Sequence, residues 1–169
     1  MPWRSSSVTP GDLCATRLPH PLPDVLAAPG GGEISLGGVG MESTGHRVFS
    51  GGIWEEQYGY ARAVVAGGRV IVSGCTATVD GEVRHVGDAY RQSLTAMEIA
   101  LEAVMMGGLT REDIVMVRYY VVEHRDFDLV GRAIHDVFHK VRPACTGVRV
   151  AGLVDLRMLV EIEIEALRP

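Results

Sequence analysis

Cysteine is scarce in this chain: Cys14, Cys75 and Cys145 are the only three in 169 residues, an odd number at wide spacing. They support neither a disulfide framework nor a zinc knuckle, so a reducing compartment such as the cytoplasm is the simplest home. Positive charge is also short, with a formal net charge of −5. That balance excludes the basic footprint expected of a nucleic-acid-binding domain. No apolar run approaches the roughly 18 residues that a membrane-spanning helix needs, so a soluble protein is expected. Several signatures of chemistry are missing as well. There is no Gly-rich loop ending in Gly-Lys-Ser/Thr, no G-x-S-x-G elbow and no C-x-x-C pair. The glycine clusters near the start do not stand between a strand and a helix, so they do not make a dinucleotide fingerprint, and no cofactor is expected.

What is present is globular. Apolar residues make up 47% and charged residues 22% of the chain, enough for one core of ordinary size. Composition shifts near Met41, because six of the eight prolines precede it, together with Gly30-Gly31-Gly32 and Gly37-Gly38-Val39-Gly40. Residues 1–40 are therefore expected to be a disordered tail, and 41–169 the folded domain. No uninterrupted apolar stretch follows Arg4, which argues against a secretory signal. Asp12, Asp24 and the prolines argue against an amphipathic transit helix, and a true start at Met41 is the plain alternative.

From Tyr58 onward the pattern is regular. Tyr60–Val65 and Arg69–Gly74 read as two strands joined by a turn at Gly67-Gly68, and Asp80-Gly81 marks a second hairpin turn. Residues 88–106 carry Tyr90, Leu94, Met97, Leu101 and Val104 at helical spacing, and Gly107-Gly108 ends the stripe. Ile114–Val122 is rich in β-branched and aromatic residues and reads as a central strand buried on both faces. A second helix follows, with Phe127, Val130, Ile134 and Phe138 on one side. Gly147–Ala151 and Leu159–Leu167 read as strands. In the second, Val160, Ile162, Ile164 and Ala166 alternate with Glu161, Glu163 and Glu165, the signature of one apolar face. The order predicts an α+β fold, with helices on one face of a sheet.

The run Tyr58-Gly-Tyr-Ala-Arg-Ala-Val64, then Arg69-Val-Ile-Val-Ser-Gly74, Arg142-Pro-Ala-Cys-Thr-Gly-Val-Arg-Val-Ala-Gly-Leu153 and Leu159-Val-Glu-Ile-Glu163 resembles the Rid family, also called YjgF-like proteins. The resemblance covers about residues 50 to 167. It implies a chorismate-mutase-like α+β subunit with one mixed sheet and two helices on one face, assembled as a homotrimeric barrel with clefts between subunits. Active members hydrolyse reactive 2-imino acids and related enamines to 2-keto acids and ammonia. Carried over residue by residue, the resemblance places a cleft tyrosine at Tyr60 and a strand-end Ser-Gly at Ser73 and Gly74. It places the acid that positions the attacking water at Glu161, with Glu163 on the same strand face as the alternative.

One position departs from the family pattern. Where deaminating members carry Pro-Ala-Arg and a small hydroxyl residue, this chain has Pro143-Ala144-Cys145-Thr146, and the family's helix asparagine falls near Gly131. A guanidinium grips a carboxylate through two charge-assisted hydrogen bonds, whereas a thiol offers one weak donor and no charge. Losing one partner of a buried charge pair costs about 2–5 kcal/mol. Arg62 is a candidate substitute anchor, against the alternative of pairing with a strand glutamate; Arg118 and Arg149 are further counter-charges for the glutamate face. Cys145 is a candidate thiol nucleophile if Arg142 or Arg149 activates it, against a structural cysteine, and Cys75 stands similarly. His135 and His139 have the spacing of two metal ligands, but with no third ligand they read as solvated residues, and no metal is expected. The expected ligand is a small carboxylate-bearing metabolite, and the expected activity is divergent imine or enamine hydrolysis. The alternative is a non-catalytic trimeric binding or chaperone-like protein.

Overall fold

The structure, a computed structural model, describes residues 45–168. The tail assigned to residues 1–40, with Cys14, lies outside them. Eight strands and three α-helices follow in the order β1 (His46–Val48), α1 (Ile53–Tyr58), β2 (Ala63–Ala66), β3 (Arg69–Cys75), β4 (Thr78–Val79), β5 (Glu82–Val83), α2 (Ala89–Met106), β6 (Ile114–Val121), α3 (Phe127–Phe138), β7 (Ala144–Arg149) and β8 (Val160–Leu167). Six of these strands form one sheet in the order β1-β2-β3-β8-β6-β7, and β4 with β5 makes a separate hairpin. Only β6 and β7 run parallel, because α3 carries the chain across between them. The sheet is mixed and the class α+β, as the sequence predicts.

Local chemistry accounts for the joints. Gly67 and Gly68 sit at φ of 56° and 77°, the left-handed conformation that a two-residue hairpin turn demands. Asp88 caps α2 by accepting the Arg91 N–H at 3.0 Å. On β8, Val160, Ile162, Ile164 and Ala166 are buried while Glu161, Glu163 and Glu165 are half-buried on the other face. The apolar row meets Ala96, Met97, Ala100 and Val104 of α2 in one core with Val70, Val72, Val117 and Val121. Each such aliphatic side chain contributes roughly 1.5–3 kcal/mol by leaving water.

Four details differ from the sequence expectation. The strand expected over Tyr60–Val65 begins only at Ala63, so Tyr60 and Arg62 are not two positions on one strand face. A short helix, α1, precedes them, making three helices in place of two. The strand expected over Gly147–Ala151 runs earlier, over Ala144–Arg149, which puts Cys145 and Thr146 inside it. Finally, β6 is next to the sheet edge and is covered on one face only. Ile114, Val117 and Val121 are buried there, while Val115 is 44% exposed.

Candidate active site

The site is built on an irregularity in β3. Val72 pairs with Ile164 and Cys75 with Ile162, so β3 holds one more residue than β8 between these pairs, and the bulge falls at Ser73-Gly74. Such a bulge re-aims the chain locally. The Ser73 N–H donates to the Arg62 carbonyl at 2.9 Å, and its hydroxyl donates to the Ala61 carbonyl at 2.8 Å. Both bonds tie the bulge to the segment ahead of β2. Glu161 lies across Gly74 so closely that a Cβ at position 74 would collide with the Glu161 carboxylate.

The segment ahead of β2 is set by α1. Gly59 ends the helix in the left-handed conformation, and the N–H groups of Gly59 and Tyr60 both donate to the Glu55 carbonyl, at 3.0 and 3.1 Å. This cap delivers Tyr60 to the site. Glu55 is only 4% exposed. Its carboxylate accepts the Ser50 N–H at 3.0 Å and the Ser50 hydroxyl, and lies 3.5 Å from Arg62 Nε. Arg62 Nη1 donates to the Gly74 carbonyl at 2.9 Å and to Cys75 Sγ at 3.3 Å. Its Nε, although buried, has no hydrogen-bond partner among the described residues, and its Nη2 makes none there either.

Tyr60, Arg62, Ser73, Gly74 and Glu161 thus line one cavity of about 740 Å³, with Trp54 on its wall. Burial, and then the charge of Glu163, push the Glu161 carboxyl above the usual carboxylate range, and the Arg62 guanidinium acts against that rise. A carboxylate so placed is a better proton acceptor than one in water. Burial likewise pushes the Cys75 thiol up, against the pull of Arg62. Cys75 is therefore a buried neutral thiol at the cavity floor, donating to the Ser73 carbonyl at 3.2 Å.

Cys145 and Thr146 are not in this cavity. They are exposed on β7, at the other side of the sheet, where Cys145 pairs in register with Val117 and Thr146 with Arg118. Partial burial raises the Cys145 thiol, with no cation acting on it. Arg142 instead bonds the His139 carbonyl and Arg149 the Val122 carbonyl, so neither activates the thiol. Nearby lies a second, shallower depression lined by Tyr119, Phe127, Gly131, Arg132 and His135.

The glutamate face divides in two. Arg118 meets Glu165 at 2.7 Å and Glu163 at 3.8 Å, and the Tyr120 hydroxyl donates to Glu163 at 3.2 Å. Glu163 and Glu165 are thereby engaged in a network, while Glu161 has no ion-pair partner among the described residues. The strand-glutamate pairing considered for Arg62 is absent; its partner is Glu55 on α1. The rings of His135 and His139 stack at 5.3 Å, and among the described residues no group of three or more potential metal ligands occurs. Nor is any described helix long and apolar enough to cross a membrane. Sequence reasoning missed Glu55, because a six-residue helix is shorter than any window that shows helical periodicity. The available signal was the Glu55-Glu56 pair following Gly51-Gly52, an acidic first turn.

Comparison with known proteins bears on the whole of this architecture. The family model described as endoribonuclease L-PSP matches residues 55–168. An uncharacterised protein of Streptomyces coelicolor is 45% identical over 122 residues, spanning 72% of this chain and 91% of its own length. Among solved structures, Rv2704 of Mycobacterium tuberculosis, a member of the YjgF/YER057c/UK114 family, superposes with a TM-score of 0.67 at 33% identity, covering 74% of this chain and 100% of that one. The YjgF gene product of E. coli superposes with a TM-score of 0.60 at 29% identity, covering 65% and 88%. The matched span runs from α1 through β8 and takes in the bulge, the cap and the glutamate strand; the chain belongs to the YjgF/YER057c/UK114 family, the Rid family.

Proposed function

We propose that this protein is a divergent Rid-type hydrolase that converts small reactive 2-imino or enamine compounds to 2-keto acids and ammonia. The observation that carries the proposal is the state of Glu161: half-buried over Gly74, free of ion pairs among the described residues, and with its carboxyl raised by burial. In the proposed reaction Glu161 takes a proton from water as the water oxygen bonds to the imine carbon. That proton passes to the imine nitrogen to give a carbinolamine; its hydroxyl then yields its own proton, through Glu161, to the departing nitrogen, so that the C–N bond breaks and the carbonyl forms with release of ammonia. General-base help of this kind is worth about 10²–10⁴-fold.

Arg62 Nη2 is the proposed donor to the substrate carboxylate, standing in for the arginine that is absent at Cys145. A homotrimer would set Cys145 and Thr146 of a second copy against the cavity and complete the cleft. The lining suits a small anion better than RNA. Asp80, Glu102 and Glu161 face one cation, Arg62, and a polyanionic backbone would be repelled there. One observation favours a second possibility, a non-catalytic binding protein: the exposed Cys145 carries no charge and no activating cation.

The test couples an amino-acid oxidase, which releases imine, to semicarbazide trapping of the imine that survives. Wild-type protein is expected to lower the trapped fraction, and Glu161→Gln to restore it. Equal trapping with and without wild-type protein, for imines of several side chains, rejects the hydrolase in favour of the binding protein.

A further inference from the structure

The Arg62 guanidinium stands between two carboxylates. Glu55 Oε1 lies 3.5 Å from its Nε, an ion pair without a hydrogen bond, whereas no ion pair within 4.0 Å joins it to Glu161. Yet Arg62 and Glu161 meet on the same residue, Arg62 Nη1 bonding the Gly74 carbonyl and the Glu161 carboxylate covering the Gly74 α-carbon. Glu55 does not share this freedom, since it is buried and fixed by Ser50 through both the backbone N–H and the hydroxyl.

The other titratable groups facing Glu161 are Glu163 beside it on β8, Tyr120 opposite on β6, Cys75 on β3, and Tyr60. Asp80 and Glu102 stand on the cavity wall. None of these is a cation, so Arg62 is the one positive group lining the cavity among the described residues. A guanidinium and a carboxylate this close, partly shielded from water, attract strongly and pair in a forked geometry. A Glu161 so paired would be a poorer proton acceptor and would block the space meant for water.

We propose that Glu55 is a positioning residue: by anchoring Arg62 at α1, it keeps the guanidinium from closing onto Glu161 and leaves that carboxylate free to take the proton of the attacking water. The proposal rests on imine hydrolysis for what Glu161 does, and on geometry alone for where Arg62 is held.

The experiment uses the full chain with 13C-labelled glutamate carboxyls. The Glu161 signal is identified by its loss in Glu161→Gln. Glu55→Gln keeps the shape of the side chain and removes its charge, so Arg62 keeps only its Nη1 bonds to Gly74 and Cys75 and is drawn towards Glu161 across Gly74. The Glu161 titration midpoint is expected to fall by about one pH unit or more, and the acid limb of the kcat/KM profile for imine hydrolysis should move down with it. In Glu55→Gln/Arg62→Gln, where the cation is gone, the midpoint should rise above that of the wild type.

A merely structural Glu55 would lower the melting temperature and leave the midpoint where it is. An unchanged or raised midpoint in Glu55→Gln overturns the proposal. If that variant does not fold, Glu55→Asp decides, because it keeps the charge but withdraws it by one methylene. A smaller fall in the midpoint is then expected, and no fall overturns the proposal. A midpoint that moves as expected in a protein without imine turnover rejects the hydrolase and leaves the restraint on Arg62 standing.

Discussion

The Glu161 carboxylate occupies the space that a side chain at Gly74 would fill. The bulge in β3 and the alternation of β8 meet at this contact, so the acid's position depends on the absence of one methyl group. Gly74→Ala should displace Glu161. Imine turnover is expected to fall about tenfold or more, because misplacing a reacting group by about 1 Å can cost that much. Steady-state kinetics, with circular dichroism to confirm the fold, checks this.

Glu161 also sets a stability trend with pH. Its carboxyl is raised in the folded state by burial, so its contribution is fully present below the unfolded value near 4.5 and is lost as pH rises through the folded value. At pH 7 the ionised group therefore works against folding. Glu161→Gln should melt higher than wild type at pH 7, and the advantage should vanish on acidification to about pH 4. Melting curves across that range measure it; a variant that melts lower at pH 7 would mean Glu161 is stabilising.

Gln92 is the clamp between α2 and the chain entering β8. It is fully buried, donates to the carbonyls of Arg157 at 2.9 Å and His85 at 3.3 Å, and accepts the Leu159 N–H at 2.8 Å. Gln92→Leu leaves the Arg157 carbonyl and the Leu159 N–H without these partners, while the His85 carbonyl keeps the Asp88 N–H at 3.0 Å. The expected loss is roughly 2–4 kcal/mol, read from urea unfolding as a lower midpoint at unchanged slope.

A trimer is expected from the sheet face that helices leave open, where Ile71 and Val148 are 44% and 46% exposed. Sedimentation at micromolar concentration should give three times the subunit mass. A stable monomer would remove the shared cleft from the proposed mechanism.

Restoring the arginine tests how the chain diverged. Cys145→Arg is expected to raise imine turnover roughly tenfold or more, about 1.4 kcal/mol of added transition-state binding. Adding Glu161→Gln should abolish the gain, since the amide keeps the shape and loses the basicity. Full activity in the double variant would make Glu161 a structural residue.

The sequence by itself determined the elements whose signals are local and periodic. The alternation from Val160 to Ala166 fixed which face of β8 is buried, because successive strand side chains must point to opposite sides. Gly67-Gly68 fixed the hairpin, since few residues accept the left-handed backbone there. The family resemblance named Tyr60, Ser73, Gly74 and Glu161, four of the residues that line the cavity. Tertiary structure decided the rest. Arg62 was legible as a charge near Tyr60, but its partner Glu55 was not, because a six-residue helix has no period to detect and an ion pair across a turn leaves no spacing rule. The separation of Cys145 and Thr146 from the cavity likewise depended on strand order, with β7 beyond β6 and β8 on the far side from β3. Strand order is set by which surfaces bury each other best in three dimensions, and pairing between distant segments is not written in the pattern of any one of them.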